Sequence, residues 1–128
     1  MIAGPHPLER KILVVEDHPD SRDLLALYLR MQDYTVYTAE DGLEALKLVQ
    51  LDCPDLIITD LSMPNMDGKE LIRRVRLMPP CTGLPIIVMT AFGSGDEAAA
   101  RRGGANQTIA KPIDYEVLLQ QISQLLPA

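Results

Sequence analysis

Positive charge is in short supply in this chain of 128 residues, where 12 Lys and Arg face 18 Asp and Glu for a formal net charge of -6. Without a broad cationic surface, direct binding to nucleic-acid backbones or anionic lipid is not expected. Long apolar stretches are missing as well. Met1 to Arg10 holds no apolar leader core, and the apolar runs elsewhere fall far short of a membrane span, so a soluble cytoplasmic protein is expected. Cysteine occurs twice, as Cys53 beside Pro54 and Cys81 beside Pro80, and neither position has metal-ligand spacing. Both are expected to be unpaired thiols of a reducing compartment, where disulfides are rare. Linkers, internal repeats and low-complexity segments are also lacking. Residues 1–10, with Gly4, Pro5 and Pro7, read as a disordered lead-in, and 11–127 as one domain. A chain of this size buries roughly two-thirds of its unfolded surface, enough for a single core.

What is present is alternation. Ile12 to Val15, Leu56 to Ile58 and Ile86 to Met89 are short apolar runs rich in β-branched residues, as strands buried on both faces are. Tyr34 to Thr38 mixes polar and β-branched residues in the manner of an edge strand, and Gln107 to Ala110 fits a last strand. Helical spacing joins Leu24, Leu25, Tyr28 and Leu29, then Leu43, Leu46 and Val49, then Leu71, Ile72 and Val75. Glu97 to Arg102 fits a short fourth helix between glycines, and Leu118, Leu119, Ile122 and Leu125 mark a closing one. Strands and helices alternating in this way predict a doubly wound α/β domain. Its five-stranded parallel sheet is expected in the order 2-1-3-4-5, with ligands bound at the carboxyl ends of the strands.

The residues that follow each run therefore matter most. They are Glu16 and Asp17 after the first strand, Asp60 after the third, Thr90 after the fourth and Lys111 after the fifth. Each has an ordinary reading taken alone, since acids after a strand often cap the next helix and a loop lysine is commonly just solvated. Together they place three carboxylates at one edge, which repel one another unless a cation lies between them. A hard divalent ion such as Mg²⁺, which takes one or two carboxylates and a phosphate oxygen, fits the demand.

Four motifs now stand in order: Ile12-Leu13-Val14-Val15-Glu16-Asp17, then Asp60-Leu61-Ser62-Met63-Pro64-Asn65-Met66-Asp67-Gly68, Thr90-Ala91 and Lys111-Pro112. They resemble the receiver domain of bacterial two-component response regulators, with the flavodoxin-like fold, over about Arg10 to Leu126. That resemblance implies that Asp60 is the phosphoacceptor and that Glu16 and Asp17 hold Mg²⁺ together with Asp60 and the backbone carbonyl of Ser62. It also implies that Thr90 and Lys111 contact the phosphoryl oxygens and that the Lys111-Pro112 bond is cis. The partners it implies are a sensor histidine kinase or histidine phosphotransfer protein upstream, and a protein target or a missing output domain downstream. The activity would be signalling, limited to self-phosphorylation and autodephosphorylation.

One position departs from the family pattern. Receivers usually carry Tyr or Phe three residues before the lysine, and here that residue is Thr108. The signal is then expected to travel through the loop after Thr90, where the single phenylalanine, Phe92, overhangs the pocket mouth. Rival readings are a degenerate receiver that binds partners without phosphorylation, a phosphohydrolase of the haloacid-dehalogenase kind, and a flavin or nucleotide carrier. The first would have lost a site residue. The second wants an acid where Ser62 stands, and the third wants a phosphate-binding loop where Glu16-Asp17-His18-Pro19 would repel phosphate.

Overall fold

Side chains on a strand point alternately to opposite faces of the sheet, so each central strand here supplies two cores at once. The computed structural model describes residues 9–127. Its strands are β1 (Lys11–Val15), β2 (Thr35–Ala39), β3 (Leu56–Asp60), β4 (Ile86–Ala91) and β5 (Gln107–Lys111). The helices are α1 (Pro19–Met31), α2 (Gly42–Leu51), α3 (Gly68–Arg76), α4 (Glu97–Arg102) and α5 (Tyr115–Leu125). A 3₁₀ turn, Pro79–Cys81, follows α3. All pairings are parallel in the order β2-β1-β3-β4-β5, which is the expected doubly wound sheet.

On one face, Ile12, Val14, Ile58, Ile87 and Met89 pack under Leu25 and Leu29 of α1 and Leu118 and Ile122 of α5. On the other, Leu13, Val15, Ile57, Ile86 and Val88 pack under Ala45 and Val49 of α2, Leu71, Ile72 and Val75 of α3, and Ala100 of α4. Each fully buried aliphatic side chain stabilises the fold by about 1.5–3 kcal/mol. Three members of the expected helical stripes, Leu24, Leu43 and Leu119, are not in these cores. Leu24 is 55% exposed and Leu43 45%, because α1 turns Leu25, Ala26 and Leu29 to the sheet and α2 turns Ala45, Leu46 and Val49. A buried arc of that width leaves no room for the adjacent leucine.

The cysteines require a correction. Cys53 and Cys81 are joined as a disulfide, with Cα atoms 6.0 Å apart, and are not unpaired thiols. Cys53 lies in the entry to β3 and Cys81 in the 3₁₀ turn that leads to β4. Because β3 and β4 are parallel neighbours, with Ile57 opposite Ile86, their amino-terminal ends adjoin and bring together residues 28 positions apart. That Cα separation lies within the ~4.4–6.8 Å a disulfide spans.

The expected lead-in 1–10 falls outside the described residues except for Glu9 and Arg10. The carbonyl of Arg10 accepts the Thr35 N–H at 3.0 Å, and its guanidinium donates to the Pro127 carbonyl at 2.8 Å. Among the described residues no helix is long and apolar enough to cross a membrane.

Candidate functional site

At the carboxyl edge of the sheet, one ammonium organises the acids. Lys111 ends β5, and its Nζ donates to Asp60 Oδ2 at 2.8 Å and also to Glu16 Oε1. Asp60 closes β3, and its second oxygen, Oδ1, accepts the Leu61 N–H at 2.8 Å. Glu16 follows β1 and is buried, with Oε2 accepting the His18 N–H at 3.2 Å. Burial pushes the Glu16 carboxyl above the ordinary carboxylate range, opposed by the hydrogen bond from Lys111. For Lys111, burial works to lower the pKa, but the hydrogen bonds and charges of Asp60 and Glu16 outweigh it and hold the ammonium above the usual lysine value. The bond between Lys111 and Pro112 is cis.

Asp17 stands at the mouth, with its side chain 31% exposed. One ligand atom each of Glu16, Asp17 and His18 lie within 4.8 Å of one another, while Asp60 meets Glu16 through Lys111. Counting ionised groups, Glu16, Asp17 and Asp60 carry three negative charges and Lys111 one positive, which leaves two uncompensated. An oxygen donor set with that excess suits a hard divalent cation. Ser62, two residues beyond Asp60, is exposed on the loop before α3.

Thr90 sits in β4 in register with Ala110, one residue before Lys111 on the neighbouring strand. Its hydroxyl is buried and has no hydrogen-bond partner among the described residues. An unpaired buried hydroxyl costs about 1–3 kcal/mol, and this one is free to donate to an acceptor that enters the site. Phe92, 84% exposed, borders a groove of about 700 Å³ that runs from Glu16 and Lys111 across Pro112 and Tyr115.

Sequence reasoning assigned no role to three residues that hold the loop after Asp60. A Cβ on Gly68 would strike the Asp60 carbonyl oxygen and come within 3.0 Å of the Leu61 Cα, so only glycine lets α3 start this close to Asp60. Gly68 also donates its N–H to the Leu61 carbonyl at 2.8 Å. Asp41 caps α2 by accepting the Glu44 N–H, and its other oxygen accepts the Asn65 side-chain amide at 2.7 Å. Asn65 has a φ of 68°, a left-handed conformation that asparagine tolerates better than most residues. The spacing of Asp41 and Glu44 was the available signal for the cap, but the bond to Asn65 exists only in the fold.

The model of the response regulator receiver domain family matches residues 12–123. A 14.6 kDa protein from the sodA1 3' region of Leptolyngbya boryana is 43% identical over 114 residues, covering 88% of this chain and 87% of that protein. The transcriptional regulatory protein GlrR of Escherichia coli is 39% identical over 116 residues, covering 90% of this chain but 26% of GlrR. The chemotaxis response regulator CheY4 of Vibrio cholerae superimposes with a TM-score of 0.86 at 32% identity, covering 93% of this chain and all of that one (100%). The receiver domain of Ssk1 of Saccharomyces cerevisiae, solved with the histidine phosphotransfer protein Ypd1, gives a TM-score of 0.83 at 25% identity, covering 93% of each chain.

Proposed function

Because the chain belongs to the response regulator receiver domain family, we propose that it receives a phosphoryl group on Asp60 and that the modification switches its binding to a partner. One observation carries the reading: a single ammonium is bonded to both Asp60 and the buried Glu16, beside a buried Thr90 hydroxyl with no partner among the described residues. The donor is a phosphohistidine of a sensor histidine kinase or of a histidine phosphotransfer protein. The Ypd1 and Ssk1 pair, in which a related receiver is solved with such a protein, supports that partner class.

An Asp60 carboxylate oxygen attacks phosphorus, the bond to the histidine nitrogen breaks, and the imidazole leaves and takes up a proton. An acyl phosphate remains on Asp60. Lys111 Nζ, already 2.8 Å from Asp60 Oδ2, offsets charge on the incoming phosphoryl oxygens, and the Thr90 hydroxyl donates to one of them. Glu16, Asp17, Asp60 and the backbone carbonyl of Ser62 would hold Mg²⁺. When bound, the ion supplies positive charge against the phosphoryl oxygens. Downstream, a protein target or an attached output domain reads the change, and the cytoplasm is the compartment that suits this chemistry.

Incubation with acetyl phosphate and Mg²⁺ followed by intact-mass measurement tests the proposal. One added phosphoryl group is expected, lost in Asp60→Asn and lost when Mg²⁺ is chelated. A label that persists in Asp60→Asn moves the acceptor elsewhere. No label on the unaltered chain favours the second reading, a phosphorylation-independent interaction module, which Thr108 at the usual aromatic position motivates.

A further inference from the structure

At the opposite edge of the sheet from Asp60, the Cys53–Cys81 disulfide closes a segment that contains β3, the acceptor and all of α3. In a cytoplasmic domain such a bond is unusual, and those that occur are mostly transient, catalytic or redox-sensing. Its surroundings are open to exchange. Cys53 is half-buried and Cys81 is 3% exposed, and both line a groove of about 510 Å³ walled by Leu51, Asp52, Met78 and Pro80.

We propose that Cys53 and Cys81 form a reversible thiol-disulfide site for a dithiol reductant, which sets how firmly the amino-terminal side of the acceptor segment is held. The inference rests on the cytoplasmic placement proposed above. One thiolate of the reductant enters the groove and attacks Cys53 Sγ, the more accessible residue of the pair. The bond between the sulfurs breaks, and Cys81 leaves as a thiolate that takes a proton from solvent. The second thiol of the reductant then attacks the mixed disulfide and releases Cys53. Two electrons have passed to the protein, and the reductant departs as a disulfide.

The consequence reaches beyond the sulfurs because the turn that carries Cys81 is also held by Arg76. The Arg76 guanidinium donates to the carbonyls of Thr82 at 3.1 Å and Gly104 at 2.7 Å, to the Leu84 carbonyl, and to Asn106 Oδ1 at 3.0 Å. Asn106 Oδ1 in turn accepts the Ile86 N–H at 2.8 Å. Reduction frees one end of a turn that this clamp ties to the entry of β4 and to the connection between α4 and β5. Faster local opening is therefore expected both at 78–84 and at 103–106.

The test treats the oxidised full chain with dithiothreitol without denaturant, alkylates with iodoacetamide, and follows mass and amide exchange. The expected result is alkylation of both cysteines while far-ultraviolet circular dichroism stays native, and exchange that rises at 78–84 and 103–106. The bond should re-form with oxidised dithiothreitol. A disulfide that opens only at denaturant concentrations which unfold the chain overturns the proposal. So do cysteines that are both alkylated in the oxidised protein before reductant is added, or exchange that is unchanged by reduction. The same outcomes are expected in Asp60→Asn, so failure here leaves the phosphoacceptor reading untouched and failure of that reading leaves this one intact.

Discussion

Asp41 shows how one side chain outside the acidic cluster supports the loop that follows Asp60. One of its oxygens caps α2 through the Glu44 N–H at 2.8 Å, and the other holds Asn65, five residues beyond Asp60, at 2.7 Å. The backbone bond from Glu44, then the Asn65 amide, hold the Asp41 carboxyl below the usual carboxylate range. A folded-state pKa below the unfolded value of about 3.9 means that the contribution is complete above about pH 4 and fades as pH falls through the folded value. Asp41→Ala is expected to lose about 1–2 kcal/mol at neutral pH, from the cap and the Asn65 bond together. Urea unfolding should show that loss shrinking below about pH 4. A loss independent of pH would assign the effect to something other than the carboxylate.

Among the elements, α4 and the loop before it are lightly anchored. The helix has six residues and Ala100 as its buried member, and Asp96 at its start makes no side-chain cap. Gly93 and Gly95, at φ of 74° and 76°, give the preceding loop conformations that other residues adopt only with strain. The face around Thr108 is held more tightly, since the Thr108 carbonyl accepts the Gln121 side-chain amide at 3.0 Å and ties β5 to α5. Movement of the Thr90 hydroxyl toward a phosphoryl oxygen would drag Ala91 and the glycines with it. Beryllofluoride, standing in for the phosphoryl group, is accordingly expected to alter amide exchange across 91–97 more than across 107–110. Protection centred on 107–110 with 91–97 unaffected would contradict this route.

For the whole molecule, the cross-link between the two cysteines acts on the unfolded chain as much as on the folded one. Closing a segment with a sequence separation of 28 lowers the entropy of the unfolded state. In chain-entropy terms this corresponds to about 3–4 kcal/mol at room temperature. The double variant Cys53→Ser, Cys81→Ser is expected to lose stability of that order against the oxidised protein in denaturant titration. Against the reduced protein its loss should be far smaller. Equal stability of oxidised and reduced protein would mean that the cross-link carries no such constraint.

The α/β alternation and the five polar residues that follow the strands were legible in the chain because they rest on short-range pattern, and the strand order followed from the doubly wound class that alternation implies. β-branched runs name the central strands, helical spacing names the covering faces, and parallel winding places Glu16, Asp17, Asp60, Thr90 and Lys111 at the same ends of their strands. Periodicity was coarser about burial, since Leu24 and Leu43 fit a helical stripe yet lie just outside the arc that touches the sheet. Three further facts were decided only by tertiary structure, because each depends on how closely separate elements approach in space. These are the pairing of Cys53 with Cys81 across adjoining strand ends, the contact of Gly68 with the backbone of Asp60, and the bond from Asn65 to Asp41. No local propensity encodes such distances; packing two helical layers on a twisted sheet does.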